Sequence, residues 1–297
     1  MKRCKVLKAL LVFLLIMLPA AALAELAGPV VSTNDLEKNL TAPNVVVLDV
    51  RKLEDYKAGH IPGAVNVPYG SWAIKKGELL NELPPIDDLA ETVGNAGIDK
   101  DSLVVIVGKT DKVPDQFDMT RVAWTLKYLG VPNVAILSGG QNQWVKESKP
   151  VSQDMVRAKA KAFKPSLNAG LIVNKAYVME KLGKATLVDT RAPAFYEGKE
   201  KLAFVPKPGR IKGAVNLPVG ALFTPEGLYK DKAALAGLAE KAAGNDLSRE
   251  VILYCDTGKT CTSWALILAD MLGYKDVKIY DGSTMEWLAD PAAPSEP

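Results

Sequence analysis

Residues 45–70 read VVVLDVRKLEDYKAGHIPGAVNVPYG, and residues 186–220 read TLVDTRAPAFYEGKEKLAFVPKPGRIKGAVNLPVG. The second stretch repeats the first. Asp49 pairs with Asp189, Arg51 with Arg191, Tyr56 with Tyr196, Gly63 with Gly213, Asn66 with Asn216 and Pro68 with Pro218, and the second copy carries about ten extra residues ahead of Gly209-Arg210-Ile211. The register continues downstream. SLVVIVG (102–108) answers EVILYC (250–255), and YLGVPNVAILSGGQNQW (128–144) answers MLGYKDVKIYDGSTMEW (271–287), so Gly139 pairs with Gly282 and Trp144 with Trp287. A unit this long is not a solenoid repeat. The chain of 297 residues divides into homologous domains at roughly 29–150 and 170–290. The polar, basic stretch 151–169 reads as a linker, and 291–297 as a disordered tail.

Each copy has the same coarse grammar. A β-branched run ends in Asp-x-Arg, and a Gly-His/Arg-Ile-x-Gly-Ala-Val-Asn turn follows. Then come a helical stretch (LAETVGNAG, DKAALAGLAEKAAG), a continuous apolar strand (LVVIV, VILY), a loop, a helix (RVAWTLKYLG, SWALILADMLG) and a short strand (VAIL, VKIY). Short buried strands alternating with helices predict an α/β fold with a central parallel sheet in each domain. In such sheets ligands gather beyond the carboxyl ends of the strands. Residues 255–260 fall there, between a central strand and a helix.

The start of the chain sets the expected compartment. MKRCKVLK is basic, ALLVFLLIML is apolar, and Ala22-Leu23-Ala24 before Glu25 is an A-x-A cleavage site. Residues 1–24 read as a secretory signal peptide, so the mature chain is expected in the periplasm with no stable membrane insertion. Cleavage removes Lys2, Arg3, Lys5 and Lys8 and takes the formal charge from +3 to −1. A chain without net basicity gives no footprint for nucleic acid. The sequence does not fix an oligomeric state.

Residues 254–261 read YCDTGKTC and contain both cysteines of the mature chain, Cys255 and Cys261. Gly258-Lys259-Thr260 resembles the end of a phosphate-binding loop, but Leu253 stands where that loop needs its first glycine. A cysteine phosphatase loop needs an arginine where Cys261 stands. Cys255 instead ends a buried strand and opens a loop whose N–H groups can converge on its sulfur, which favours the thiolate. Gly258 permits tight curvature, Thr260 offers a hydroxyl to the sulfur or to the next helix, and Lys259 adds a cation. Cys261 either forms a redox pair with Cys255 or faces the core as a filler. His60 is the chain's one histidine and lies in the first copy, so neither a Cys–His dyad at Cys255 nor a metal cluster is expected.

The tandem arrangement, the Asp-x-Arg, GHIPGAVNVP, GRIKGAVNLP and the loop CDTGKT resemble the rhodanese (thiosulfate/3-mercaptopyruvate sulfurtransferase) family over nearly all the mature chain. The resemblance implies an inactive first domain, consistent with Gly108 opposite Cys255, and a persulfide on Cys255 in the second. It implies a small sulfur donor, a thiol or cyanide acceptor and no cofactor. There are departures. Members that favour thiosulfate often carry basic residues where Asp256 and Thr257 stand here, and Phe195 replaces a substrate-side arginine. Asp256 would repel a dianion, with Lys259, Arg191 and Arg210 as candidate compensation. Asp189 and Arg191 serve either the loop or the fold. Two other functions stay open: a thiol–disulfide or chalcogen-handling redox protein using Cys255 and Cys261, and a non-catalytic binding double domain.

Overall fold

The computed structural model describes Ala24 and residues 28–297. Apart from Ala24, the expected signal peptide lies outside the described residues.

The first domain contains β1 (Val30–Val31), β2 (Val45–Asp49), β3 (Val65–Asn66), the hairpin strands β4 (Ile74–Lys76) and β5 (Leu79–Glu82), β6 (Leu103–Val107) and β7 (Asn133–Leu137). Its helices are α1 (Thr33–Asn39), α2 (Leu53–Ala58), α3 (Ile86–Asn95), α4 (Phe117–Tyr128) and α5 (Gly140–Lys146). The second contains β8 (Ile172–Val173), β9 (Thr186–Asp189), β10 (Arg210–Ile211), β11 (Val215–Asn216), β12 (Val251–Tyr254), β13 (Val277–Tyr280) and β14 (Ser295–Glu296). Its helices are α6 (Lys175–Lys181), α7 (Pro193–Tyr196), α8 (Lys232–Ala243), α9 (Cys261–Leu266), which runs into a π-helical turn (Ile267–Met271), and α10 (Ser283–Trp287).

Both domains form five-stranded sheets in the same order, β1-β7-β6-β2-β3 and β8-β13-β12-β9-β11. Every pairing within them is parallel. The expected α/β architecture of two homologous parallel-sheet domains is the observed one. Side-chain alternation explains why the central strands are apolar throughout. Leu103, Val105 and Val107 enter the core on one face of β6, while Val104 and Ile106 enter the core on the other. Likewise Val251 and Leu253 face one core, and Ile252 and Tyr254 the other. A strand covered on both faces has no solvent side to leave polar, and each aliphatic side chain so buried contributes roughly 1.5–3 kcal/mol. Capping repeats as well: Ser32 accepts from the Asp35 N–H at 3.1 Å to start α1, and Asn174 accepts from the Tyr177 N–H at 3.0 Å to start α6.

The tail corrects the expectation of disorder at 291–297. Ser295 and Glu296 form β14, antiparallel to Arg210 and Ile211, and Ala293 is buried. The physical reason is the repeat itself. Trp287 Nε1–H donates to Pro294 O (2.9 Å) as Trp144 Nε1–H donates to Pro150 O (2.7 Å), and β14 meets β10 where Ser152 bridges His60 in the first domain. A Pro/Ala-rich composition hid a strand whose partner lies 86 residues back. The segment 153–168 has no helix or strand, yet it is strapped to the first domain through Lys161 N–H to Gly94 O (2.9 Å) and Ser166 N–H to Leu129 O (3.0 Å).

The two domains meet across the corresponding helices α4 and α9. Thr120 of α4 lies 2.9 Å from both Ser263 Oγ and Thr262 Oγ1 of α9. Phe117 and Trp124 pack into the second domain's core, and Leu266 packs into the first. This contact brings the first domain against the loop at 255–260.

Candidate active site

In β-sheet register Asp49 sits opposite Val107 and Asp189 opposite Tyr254, so Gly108 and Cys255 hold the same place beyond the carboxyl end of the central strand. The two places differ in what fills them. A Cβ at Gly108 would lie 2.8 Å from Met119 Cγ. The first copy therefore has neither a nucleophile nor room for one.

At Cys255 the chain turns into a sulfur cradle. Cys255 is 1% exposed. Burial pushes its thiol up, but donors outweigh that: the Cys261 thiol, the Thr260 hydroxyl and the backbone N–H groups of Cys261 and Thr257 hold it well below the ordinary thiol value. Cys261 moves the opposite way. Burial, the hydrogen bond to Cys255 and the Cys255 charge push it well above. These opposite directions favour the thiolate on Cys255 and the neutral thiol on Cys261, which packs in the same core cluster as Cys255. Both cysteines are free.

The cradle is held from several directions. Ser283 Oγ accepts the Cys255 N–H (3.2 Å) and the Gly258 N–H (2.9 Å), donates to Tyr280 O (2.8 Å) and lies 4.0 Å from Cys255 Sγ. Ser283 adopts φ 49°, an uncommon value for a residue with a side chain; its counterpart Gly140 has φ 52°. Thr284 N–H donates to Cys255 O and Met285 N–H to Asp256 O, both at 3.1 Å. Gly258, at φ 69°, approaches so closely that a Cβ there would lie 2.4 Å from Asp281 O.

The first domain supplies the rest. Arg121 of α4 is fully buried; its Nη1 donates to Gly258 O (2.9 Å) and Asp281 Oδ1 (2.6 Å), and its Nη2 to Asn81 O (2.7 Å). Asn81 Nδ2 donates to Thr257 Oγ1 (2.8 Å) and its Oδ1 accepts from Tyr69 OH (3.0 Å). Arg121, Asn81, Asp281 and Ser283 were not singled out from sequence. Two signals were available: an arginine inside the apolar stretch of α4, and a serine where the repeat has a glycine.

The expected cations take other partners. Lys259 pairs with Asp118 of the first domain and lies 4.4 Å from the centre of the Tyr69 ring. Arg210 donates to Glu296 (3.1 Å) and Tyr196 O (3.0 Å), so β14 engages it. Arg191 grips Asp189 through Nε and Nη2 and Gly209 O at 2.9 Å; its Nη1 lies 3.6 Å from Asp256 Oδ1. The first copy has the same clamp, Arg51 on Asp49 and Gly59 O, which makes the Asp-x-Arg pair part of the fold. Asp256 also accepts from Thr284 Oγ1 (3.2 Å), and burial together with the Cys255 charge pushes its carboxyl up to about 6. Phe195 is half-buried on α7. His60 stacks on Tyr56 at 3.7 Å with Nδ1 2.8 Å from Tyr56 O, a structural role. Among the described residues no cluster of three His, Cys, Asp or Glu is arranged to hold a metal ion, and no helix is long and apolar enough to cross a membrane.

The Rhodanese-like domain family matches residues 32–147 and again 174–290. The chain is a member of the rhodanese family. Thiosulfate sulfurtransferase of Bos taurus is 33% identical over 243 residues, 79% of each chain. The sulfur carrier protein TtuD of Thermus thermophilus is 30% identical, over 86% of this chain and 92% of its own. The fold of this rhodanese is also that of YnjE, whose crystal structure superposes with a TM-score of 0.76 at 24% identity over 88% of this chain and 66% of that one. With relatives of this breadth, the rhodanese described here is a sulfurtransferase enzyme.

Proposed function

We propose that this rhodanese is an exported sulfurtransferase that carries sulfane sulfur as a persulfide on Cys255. The observation that carries the reading is the place of Cys255, buried just beyond the end of β12 in a loop held by Ser283 and Arg121, where hydrogen-bond donors push its thiol well below the ordinary value. The Cys255 thiolate attacks the outer sulfur of a donor such as thiosulfate or 3-mercaptopyruvate. The donor's bond to that sulfur breaks, and the electron pair leaves with the remainder of the donor. The cradle's N–H groups hold the terminal sulfur, as an oxyanion hole holds oxygen. An acceptor thiolate or cyanide then attacks it and returns Cys255 to a thiolate. Cys255→Ser should abolish loading of a sulfur atom, read by intact mass; loading retained on the variant would sink the reading.

Export rests on the basic start, apolar run and A-x-A site of residues 1–24. Fractionation and amino-terminal sequencing test it: the mature chain should begin after Ala24 in the periplasmic fraction. One observation favours a second reading, the free and buried Cys261 in the same core cluster as Cys255. Cys261 Sγ would attack Cys255 Sγ of the persulfide, forming a disulfide and releasing hydrogen sulfide, with both thiols oxidised and the sulfane sulfur reduced. Persulfidated protein kept without an acceptor should then release sulfide and lose the free Cys261 thiol. A stable persulfide with Cys261 still alkylatable after unfolding excludes it.

A further inference from the structure

The β4–β5 hairpin carries a titratable group that the transfer chemistry leaves without a role. Glu82, the last residue of β5, has a buried Oε1 with no hydrogen-bond partner. A carboxylate in that state is costly, because nothing replaces the water it has lost. Its surroundings add to the cost. Asp281 and Glu286 act on it from the second domain, against Arg121 of α4 and Lys76 of β4. Arg121 is already bonded to Asp281, and Glu286 accepts from Tyr280 OH (2.7 Å). Burial first, and then Asp281, push the Glu82 carboxyl up to about 7.

The element that carries Glu82 is lightly anchored. Between buried Trp72 and buried Pro84 no residue is buried. β4 and β5 pair only with each other, with a register shift between Ile74 and Lys76. A two-stranded hairpin is marginal by itself, so its position depends on what its side chains touch. A recess of about 560 Å³ separates its tip, Glu78 and Leu79, from Met285 and Glu286 of α10, which leaves room to move. Among the described residues its one hydrogen bond to the second domain runs from Asn81 Nδ2 to Thr257 Oγ1 of the loop at 255–260 (2.8 Å). Tyr69 and Arg121 hold Asn81 from the first domain. Asn81 makes these contacts at φ 61°, a left-handed conformation that persists only while its surroundings hold it.

We propose that Glu82 is a positioning residue for sulfur transfer: in its neutral form the hairpin stays closed on the second domain with Asn81 gripping Thr257, and in its ionised form the hairpin loosens and the loop loses that grip. The consequence for sulfur transfer rests on the Cys255 reading; the movement of the hairpin does not. The closed hairpin binds the Glu82 proton more tightly than the open one. Closure is therefore favoured fully below the ordinary carboxyl value of 4.5, weakens as pH rises to about 7 and is level above it.

The test is amide hydrogen exchange of residues 74–82 in the reduced full chain, corrected for intrinsic exchange. Protection in the wild type should fall about tenfold between about pH 5 and about pH 8, a value that allows for screening at a half-buried group. The reference helix α4 should not follow. Glu82→Gln keeps the shape and cannot ionise, so its hairpin protection should stay flat. The functional readout is the rate of sulfur loading from thiosulfate, taken as the ratio of Glu82→Gln to wild type at each pH, so that titration of Cys255 and Asp256 cancels. The ratio should be near one at the acid end and rise several-fold at the alkaline end. Flat protection in the wild type, or an equal fall in Glu82→Gln, overturns the proposal. So does protection that rises with pH, which would mean that ionised Glu82 pairs with Arg121 Nε, a buried donor that also lacks a partner. A loading ratio that does not change with pH overturns the positioning role. No loading by either protein sinks the Cys255 reading, and the exchange result still decides the hairpin.

Discussion

Arg121→Met puts the largest demand on the structure. The arginine is completely buried and makes three contacts that no other side chain replaces: Gly258 O, Asp281 Oδ1 and Asn81 O. Methionine fills similar volume with no donor. Breaking a buried ion pair from one side costs about 3–5 kcal/mol, and a carbonyl stripped of its donor about 1–3 kcal/mol. The losses overlap, because Asp281 can take up a proton and relieve its own uncompensated charge. A net loss of about 3–5 kcal/mol is expected, a large part of the roughly 5–15 kcal/mol that holds a domain folded. Function should change in a way that stability alone does not explain. Gly258 O is then free to turn, the loop N–H groups lose their aim, and the Cys255 thiolate loses stabilisation. Urea unfolding measures the first effect. The pH profile of Cys255 alkylation in folded protein measures the second, expected to move up by about one unit, or about 1.4 kcal/mol. Arg121→Lys, which keeps the charge on Asp281 but not the forked donor, should recover stability more than alkylation profile. A loss under about 1 kcal/mol together with an unshifted profile would refute the claim that the first domain holds the loop.

Three further outcomes follow from the same geometry. Cys261→Ala removes a donor to the charged form of Cys255, so the Cys255 thiol should titrate at higher pH and react more slowly near pH 6, with iodoacetamide kinetics as the check. Gly108→Cys in a Cys255→Ser background should bind no sulfur and lose about 1–3 kcal/mol, because the new Cβ meets Met119 Cγ at 2.8 Å; sulfur loading by that double variant would show the first copy has room after all. Gly258→Ala, with φ 69° and a Cβ 2.4 Å from Asp281 O, should slow sulfur loading far more than it lowers the unfolding midpoint, and equal loading rates would contradict the close approach.

Much of the fold was legible because its signals are local. The runs LVVIV and VILY are apolar throughout since both faces of a parallel sheet are covered, and the repeat of Asp-x-Arg and Gly-Ala-Val-Asn fixes the two-domain plan without any partner being known. Cys255 was legible for a related reason: strand, then loop, then helix places it beyond the carboxyl end of the sheet, and its repeat partner Gly108 marks the other copy as empty. The tail was misread from composition, although the repeat already contained Trp144–Pro150 as its pattern.

The sequence by itself determined the two α/β domains and the placing of Cys255 at a strand end where the first copy has Gly108, all properties of neighbouring residues and strand periodicity. Only the tertiary structure decided where the charges go. Lys259 and Arg210 carry nothing in their local sequence that says they will be engaged by Asp118, in the other domain, and by Glu296, 86 residues away. Nor does Arg121 announce that it will cross 137 residues to hold Gly258. Charge pairing depends on a few ångströms between elements, and that distance exists only once α4 has packed on α9.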